Sequence, residues 1–189
     1  MAPKSTKPRD PKGRSLSEVK NALRALINRP GREADAIAYI EEVVTGFGGM
    51  GVGAGGNRND RGAAISLAAN HESSLQIAIE RKEPTANRTA TFERKIRKGY
   101  ALGLFGDETK NNLDLIRWIR NAFAHSPSPV RFSTAEIESA CALLKLPAPV
   151  GKADDQGEAT GRHRFRLACE RTGIALRYVP RKVTALSSK

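Results

Sequence analysis

The chain has 189 residues, of which 39% are hydrophobic, so it is long enough to bury a core of its own. It contains 32 Lys and Arg against 20 Asp and Glu, which gives a formal net charge of +12 at pH 7. Because no run of about 18 apolar residues occurs and no apolar segment follows the basic N-terminus, neither a membrane span nor a secretory signal is predicted. We expect a cytoplasmic protein whose two cysteines, Cys141 and Cys169, form no disulfide framework and no zinc site.

The excess positive charge lies at the two ends of the sequence. Residues 1–32 carry nine basic and two acidic side chains, residues 151–189 carry nine and four, and residues 33–150 are balanced at fourteen of each. Basic ends can bind RNA or DNA phosphates without sequence preference, or they can act only as solubilising tails. The candidate nucleic-acid-binding residues of the N-terminal end are Lys4, Lys7, Arg9, Lys12 and Arg14.

Two helices are predicted near the N-terminus, over residues 15–45, after a disordered basic tail at residues 1–14. The first begins with a capping box, in which Ser15 is the N-cap residue and Glu18 the third helical residue. The second is predicted from about Arg32 to Thr45 on the spacing of its apolar residues.

A glycine-rich segment follows at residues 46–56, with seven glycines in eleven positions. Gly46, Gly48 and Gly51 match Gly-x-Gly-x-x-Gly, but a dinucleotide-binding loop requires a strand before it and here a helix is predicted. The absence of Gly-Lys-Ser/Thr excludes a nucleoside-triphosphate P-loop. The segment is therefore interpreted as a flexible hinge that separates the N-terminal helix pair from the main body.

The main body, residues 57–179, is predicted to be an all-α helical bundle because no convincing sheet can be built from it. Its first helix begins at Asn59 or Asp60 and reaches about Lys82. His71 lies on the apolar stripe of this helix, which favours a core or partner-facing histidine over a ligand.

Three further helices are predicted in the second half of the chain, before a disordered tail at residues 180–189. One begins near Thr91, one spans about residues 111–125 and stops at two prolines, and one begins at a capping box of Ser133 and Glu136. A loop over residues 147–161 leads to the last segment.

The last segment, Arg162 to Val179, has two interpretations. Phe165, Ala168 and Cys169 have helical spacing, so a helix is predicted. Because Gly173 interrupts the pattern, a helix followed by a short extended stretch at residues 174–179 is the alternative.

The helix over residues 111–125 is the most informative element. Its apolar arc consists of Leu115, Ile116, Ile119, Ala122 and Phe123. The opposite arc carries Asp114, Arg117, Arg120, Asn121 and His125. The polar arc is either a solvated helix face or a functional one, and His125 at the helix end can reach a neighbouring cleft.

Two blocks of sequence carry a family resemblance. Residues 120–125, Arg-Asn-Ala-Phe-Ala-His, resemble the motif of the HEPN superfamily (higher eukaryotes and prokaryotes nucleotide-binding domains). The runs at residues 100–104 and 113–126 resemble, more specifically, the mannitol operon repressor family. Residues 60–65 and 164–165 are similar to the beginning and the end of that family's pattern.

The resemblance covers roughly residues 57–178 and leaves residues 15–56 outside it. It implies an α-helical bundle, a symmetric homodimer and a role in negative regulation of gene expression. We expect that role to be non-catalytic, with no cofactor and no metal. Because no helix-turn-helix with a basic recognition helix is evident, the protein would act through its basic ends or through a regulatory protein partner.

The superfamily resemblance also implies an alternative, a metal-independent endoribonuclease built from two facing protomers. His125 would accept the proton of the attacking 2′-OH, since histidine titrates near neutral pH, and Arg120 would stabilise the charge on the phosphate. Asn121 would orient the phosphate or the histidine, and Arg117 would bind the RNA backbone.

Overall fold

The computed structural model of the chain describes residues 9–31, 60–146 and 160–177. Within these ranges it contains six α-helices and no β-strand, so the predicted all-α fold is confirmed. The helices are α1 (Leu16–Ile27), α2 (Asp60–Lys82), α3 (Phe92–Ala101), α4 (Asp107–His125), α5 (Ala135–Ala142) and α6 (Gly161–Arg177). None of them is long and apolar enough to cross a membrane.

Several predicted features lie outside the described residues. They are Lys4, Lys7, the helix from Arg32 to Thr45, the glycine-rich segment 46–56, most of the loop 147–161 and the tail 180–189.

The centre of the bundle is α4, which packs against all five other helices of the described chain. Its predicted apolar arc is buried as expected, since the members of that arc are at most 2% exposed. Phe123 of α4 also packs against Phe132 in a tilted arrangement, with ring centroids 4.8 Å apart, and the ring centroid of Phe132 lies 5.4 Å from that of Phe165 of α6. This aromatic row joins α4 to α6 through the segment that precedes α5.

The predicted capping box opens α1, which belongs to the same core. Glu18 accepts the backbone N–H of Ser15 at 2.6 Å, while Ser15 Oγ accepts the backbone N–H of Glu18 at 3.4 Å. Val19, Leu23 and Leu26 are at most 4% exposed and pack in one cluster with side chains of α4 and α5. The prediction that this helix is separated from the main body is therefore wrong for α1.

An ordered turn at residues 9–14 precedes α1, which contradicts the predicted disorder for this part of the tail. Asp10 is 5% exposed and accepts the backbone N–H groups of Lys12 and Arg14 at 3.0 and 2.6 Å. Arg14 pairs with the Asp10 carboxylate at 2.9 Å and donates to Ser139 Oγ of α5. Desolvation alone would raise the pKa of Asp10, but the hydrogen bonds and charge of Arg14 outweigh it and lower the pKa.

The start of α5 differs by one residue from the prediction. Thr134 is the N-cap residue and its side chain makes no capping hydrogen bond, so the predicted capping box of Ser133 and Glu136 is wrong. The buried Phe132 donates its backbone N–H to the carboxylate of Asp60 at 3.0 Å. That contact with α2 fixes the chain just before α5, which local sequence signals do not reveal.

The last helix, α6, continues through Gly173 to Arg177, so the extended alternative is wrong over the described residues. Gly173 is buried against α2, where a Cβ atom would lie 3.5 Å from His71 Nε2. His71 itself lies in the core, with its ring nitrogens 2.7 Å from Leu67 O and 2.5 Å from Cys169 O. These contacts between α2 and α6 offset the cost of about 1 kcal/mol that glycine adds inside a helix.

Candidate functional site

The last two turns of α4 carry the Arg-Asn-x-x-x-His segment. Arg120 and Asn121 are half-buried, and Arg120 donates to Asn121 Oδ1 at 2.9 Å. His125 is exposed and is the last residue of the helix. The helix ends there because Ser126 turns to an extended conformation, with its N–H still bonded to Ala122 O at 3.0 Å, and Pro127 follows.

The described part of the chain contains no hydrogen bond between Arg120 and His125. The bond to Asn121 instead holds Arg120 against its neighbour on the same helix. The structure thus places the three residues on one helix end, with the imidazole free to meet a ligand or a second chain and the guanidinium engaged locally.

A second guanidinium reaches the same helix end from α2. Arg61 is half-buried and donates to Ala124 O at 3.0 Å, one residue before His125. The carbonyl groups at a helix C-terminus have no partner within the helix and attract cations. The sequence alone indicates no role for Arg61, because only the packing of α2 on α4 brings it to this place.

Arg117 does not lie on an exposed face, so that expectation is wrong. Its side chain is 10% exposed and pairs with Glu93 at 3.4 Å and with Asp114 at 3.6 Å. The physical reason is that α3 packs across this side of α4 and brings Glu93 with it. The charge of Arg117 is therefore engaged inside the protein.

Trp118, beside Arg117, is the centre of a cluster of cations that the sequence analysis missed. The indole is 8% exposed. Lys20 Nζ lies 5.4 Å, Arg24 Cζ 4.7 Å and Arg117 Cζ 4.8 Å from its ring centroid. Cations within about 6 Å of an aromatic centroid are attracted to the ring quadrupole. The only feature of the sequence that points to this cluster is the spacing of Lys20 and Arg24, which are four residues apart on α1.

The basic N-terminal residues separate into different environments. Arg9 is exposed and donates to Gly13 O at 2.6 Å, and Lys12 is exposed. Arg14 is held by Asp10 and Ser139, which leaves its guanidinium less available to a ligand.

The two buried thiols and the possible metal ligands of the described residues were the remaining candidates for chemistry. Burial raises the pKa of the Cys169 thiol to about 12 and raises the pKa of the Cys141 thiol as well, so neither is a thiolate at neutral pH. Among the residues that the structure describes, no group of three or more His, Cys, Asp and Glu side chains could hold a metal ion.

Comparison of the chain with protein-family models, with curated proteins and with solved structures found no match. The resemblance to the mannitol operon repressor family stays a prediction from the sequence.

Proposed function

We propose that the protein is a non-catalytic regulator, similar to the mannitol operon repressor family, that acts as a homodimer. It would repress gene expression through contacts with nucleic acid or with a regulatory protein. The observation that carries the proposal is the local engagement of the two arginines on the polar arc of α4, Arg117 and Arg120. Arg120 is bonded to Asn121, and Arg117 is buried between Glu93 and Asp114.

The net charge bears on contact with nucleic acid, and the exposed aliphatic side chains bear on formation of the homodimer. The net charge of +12 favours association with phosphate backbones. Ile77 of α2 and Ile174 of α6 are exposed aliphatic side chains of the described residues, at 52% and 51%, and are candidates for the surface between two chains.

The regulator is tested in a deletion strain of the native host by transcript profiling. Wild-type protein and the His125→Ala variant should restore the same set of repressed transcripts, because the imidazole has no chemical role in a non-catalytic regulator. Light scattering of the purified protein should give the mass of a dimer. The proposal would be contradicted if wild-type protein restored repression of these transcripts and a folded His125→Ala variant did not.

A second candidate, a metal-independent endoribonuclease, is favoured by one specific observation. The imidazole of His125 is exposed at a helix end where Arg61 donates to Ala124 O, and Arg120 lies in the preceding turns of the same helix, bonded to Asn121. His125 would take the proton of a 2′-OH as the oxygen attacks the adjacent phosphorus. The 5′ oxygen would leave with a proton, which gives a 2′,3′-cyclic phosphate and a 5′-OH end.

Incubation of the purified protein with single-stranded RNA in EDTA separates the two candidates. The non-catalytic proposal expects intact RNA at every protein concentration. Cleavage to a cyclic phosphate that disappears in both Arg120→Ala and His125→Ala would establish the ribonuclease instead. A matched control is Arg131→Ala, which removes an exposed arginine outside the motif.

A further inference from the structure

The helix α1 lies beside α4 along the side that carries Trp118 and leads to the C-terminal end of α4. In the middle of α1, Lys20 and Arg24 lie over the ring of Trp118 of α4. Further along, Ser126 Oγ donates to Leu26 O at 3.4 Å, at the point where both helices end. The segment that contains α1 has no counterpart in the family resemblance, so its contribution to this side of α4 is a property of this chain.

Helix geometry places the cation cluster on the same side of α4 as Asn121 and His125 of the motif. Trp118 and His125 are seven residues apart, which is about two turns and about 10 Å along the same side of α4. Asn121 lies between them. A chain molecule that contacts the α1 cations can therefore extend along α4 to the exposed imidazole.

The charge on this side of α4 is not balanced within the described chain. Glu93 and Asp114, the acids that pair with Arg117, also pair with other cations, at 3.9 Å to Arg97 and at 2.9 Å to Lys110. The shared acids leave a local excess of positive charge.

Lys20 and Arg24 make no ion pair with any residue that the structure describes. They are four residues apart on one helix, where like charges repel each other. The indole attracts both cations but carries no net charge to neutralise them. An anion bound between them would relieve this repulsion.

We propose that Lys20 and Arg24, held by Trp118, form a binding surface for the phosphates of a nucleic-acid backbone. Arg24 offers paired N–H donors that match a phosphate, and Lys20 adds a mobile point charge. Trp118 acts as a positioning residue that keeps both cations on the side of α4 that leads to His125. The inference rests on the nucleic-acid contact in the proposed function and assigns it to a place on the molecule.

The test is fluorescence anisotropy with a labelled 20-nucleotide single-stranded RNA and a 20-base-pair DNA duplex over a range of salt. In the double variant Lys20→Gln/Arg24→Gln, two phosphate contacts should be lost. The salt slope should then fall by about 1.4 on the single strand and about 1.8 on the duplex. With equal affinity of variant and wild type at 1 M salt, these reductions in slope correspond at 0.1 M salt to losses of affinity of about 25-fold on the single strand and about 60-fold on the duplex.

Matched variants separate a local surface from overall charge. Arg131→Gln/Lys145→Gln removes the same charge from exposed positions on either side of α5, and should change affinity by no more than about twofold. The exchange Lys20→Arg/Arg24→Lys keeps both charges and should keep the binding. Glutamine has a helix propensity close to that of lysine and arginine, so the thermal midpoint should stay unchanged.

Three results of the binding experiment would contradict the proposed phosphate-binding surface. If wild-type protein and the α1 double variant bind the probes equally and with the same salt dependence, the proposal that Lys20 and Arg24 bind phosphates is wrong. The protein would still bind nucleic acid, but at another place. No binding of either probe by wild-type protein would overturn the inference and remove nucleic acid from the proposed function. Retention of polyglutamate, with neither nucleic acid bound, would overturn it in favour of an acidic protein partner.

Discussion

Truncation of Leu23 to alanine tests whether α1 is a structural part of the bundle. Leu23 is 0% exposed and packs in the cluster formed with α4 and α5. The substitution removes three carbon atoms, worth about 2.4 kcal/mol at about 0.8 kcal/mol per buried methylene group. The cavity left behind adds to this, so we expect a loss of about 3 to 4 kcal/mol in the free energy of unfolding.

Urea unfolding followed by circular dichroism at 222 nm measures this loss. For a chain of this length, about 3 kcal/mol also lowers the melting temperature by roughly 6 to 12 °C. The control is Asn21→Ala, which changes an exposed residue of the same helix and should stay within about 0.5 kcal/mol of wild type. A Leu23→Ala variant as stable as this control would refute the packing of α1 on α4.

Two more predictions concern ionisable groups. Because the pKa of Asp10 is lowered in the folded protein, its stabilising contribution is present above the unfolded value near 3.8 and is lost as the pH falls below it. The stability of Asp10→Asn, measured by urea unfolding, should be lower than that of wild type at pH 7, and the gap should shrink below about pH 3.8. Both thiols, Cys141 and Cys169, should fail to react with a thiol-specific disulfide reagent at pH 8 until urea unfolds the protein, since burial raises their pKa values. Rapid reaction of either thiol in the folded protein, read from absorbance at 412 nm, would contradict the burial of α5 against α6.

The helices themselves could be predicted because their signals are local. The apolar spacing in α4 and the capping box of Ser15 and Glu18 depend on residues within one or two turns of each other. The turn at residues 9–14 combines local hydrogen bonds of Asp10 with one distant contact, since Arg14 also donates to Ser139 of α5. A composition rich in proline and lysine predicts disorder there, whereas the Asp10 carboxylate and the contact of Arg14 with Ser139 hold the turn in place.

The candidate site shows the same division between local and distant information. The sequence places His125 correctly at an exposed helix end, because the prolines that follow stop α4. It could not reveal that Arg117 is buried, since Glu93 arrives from another helix. Nor could it bring Arg61 to the carbonyl of Ala124. A polar arc on a helix predicts which side chains share a face, but the neighbouring helices decide which of them meet solvent.

The double role of α1 decides how nucleic-acid binding by this protein has to be measured. One side of α1 buries Val19, Leu23 and Leu26 against the core, and the other side holds Lys20 and Arg24 over Trp118. Deletion of the helix would expose the apolar side chains that it covers and would remove the cations in the same step. A loss of binding after truncation therefore has two causes, whereas exchange of the two cations for glutamine leaves the buried side intact. Only the point substitutions assign a change in affinity to charge.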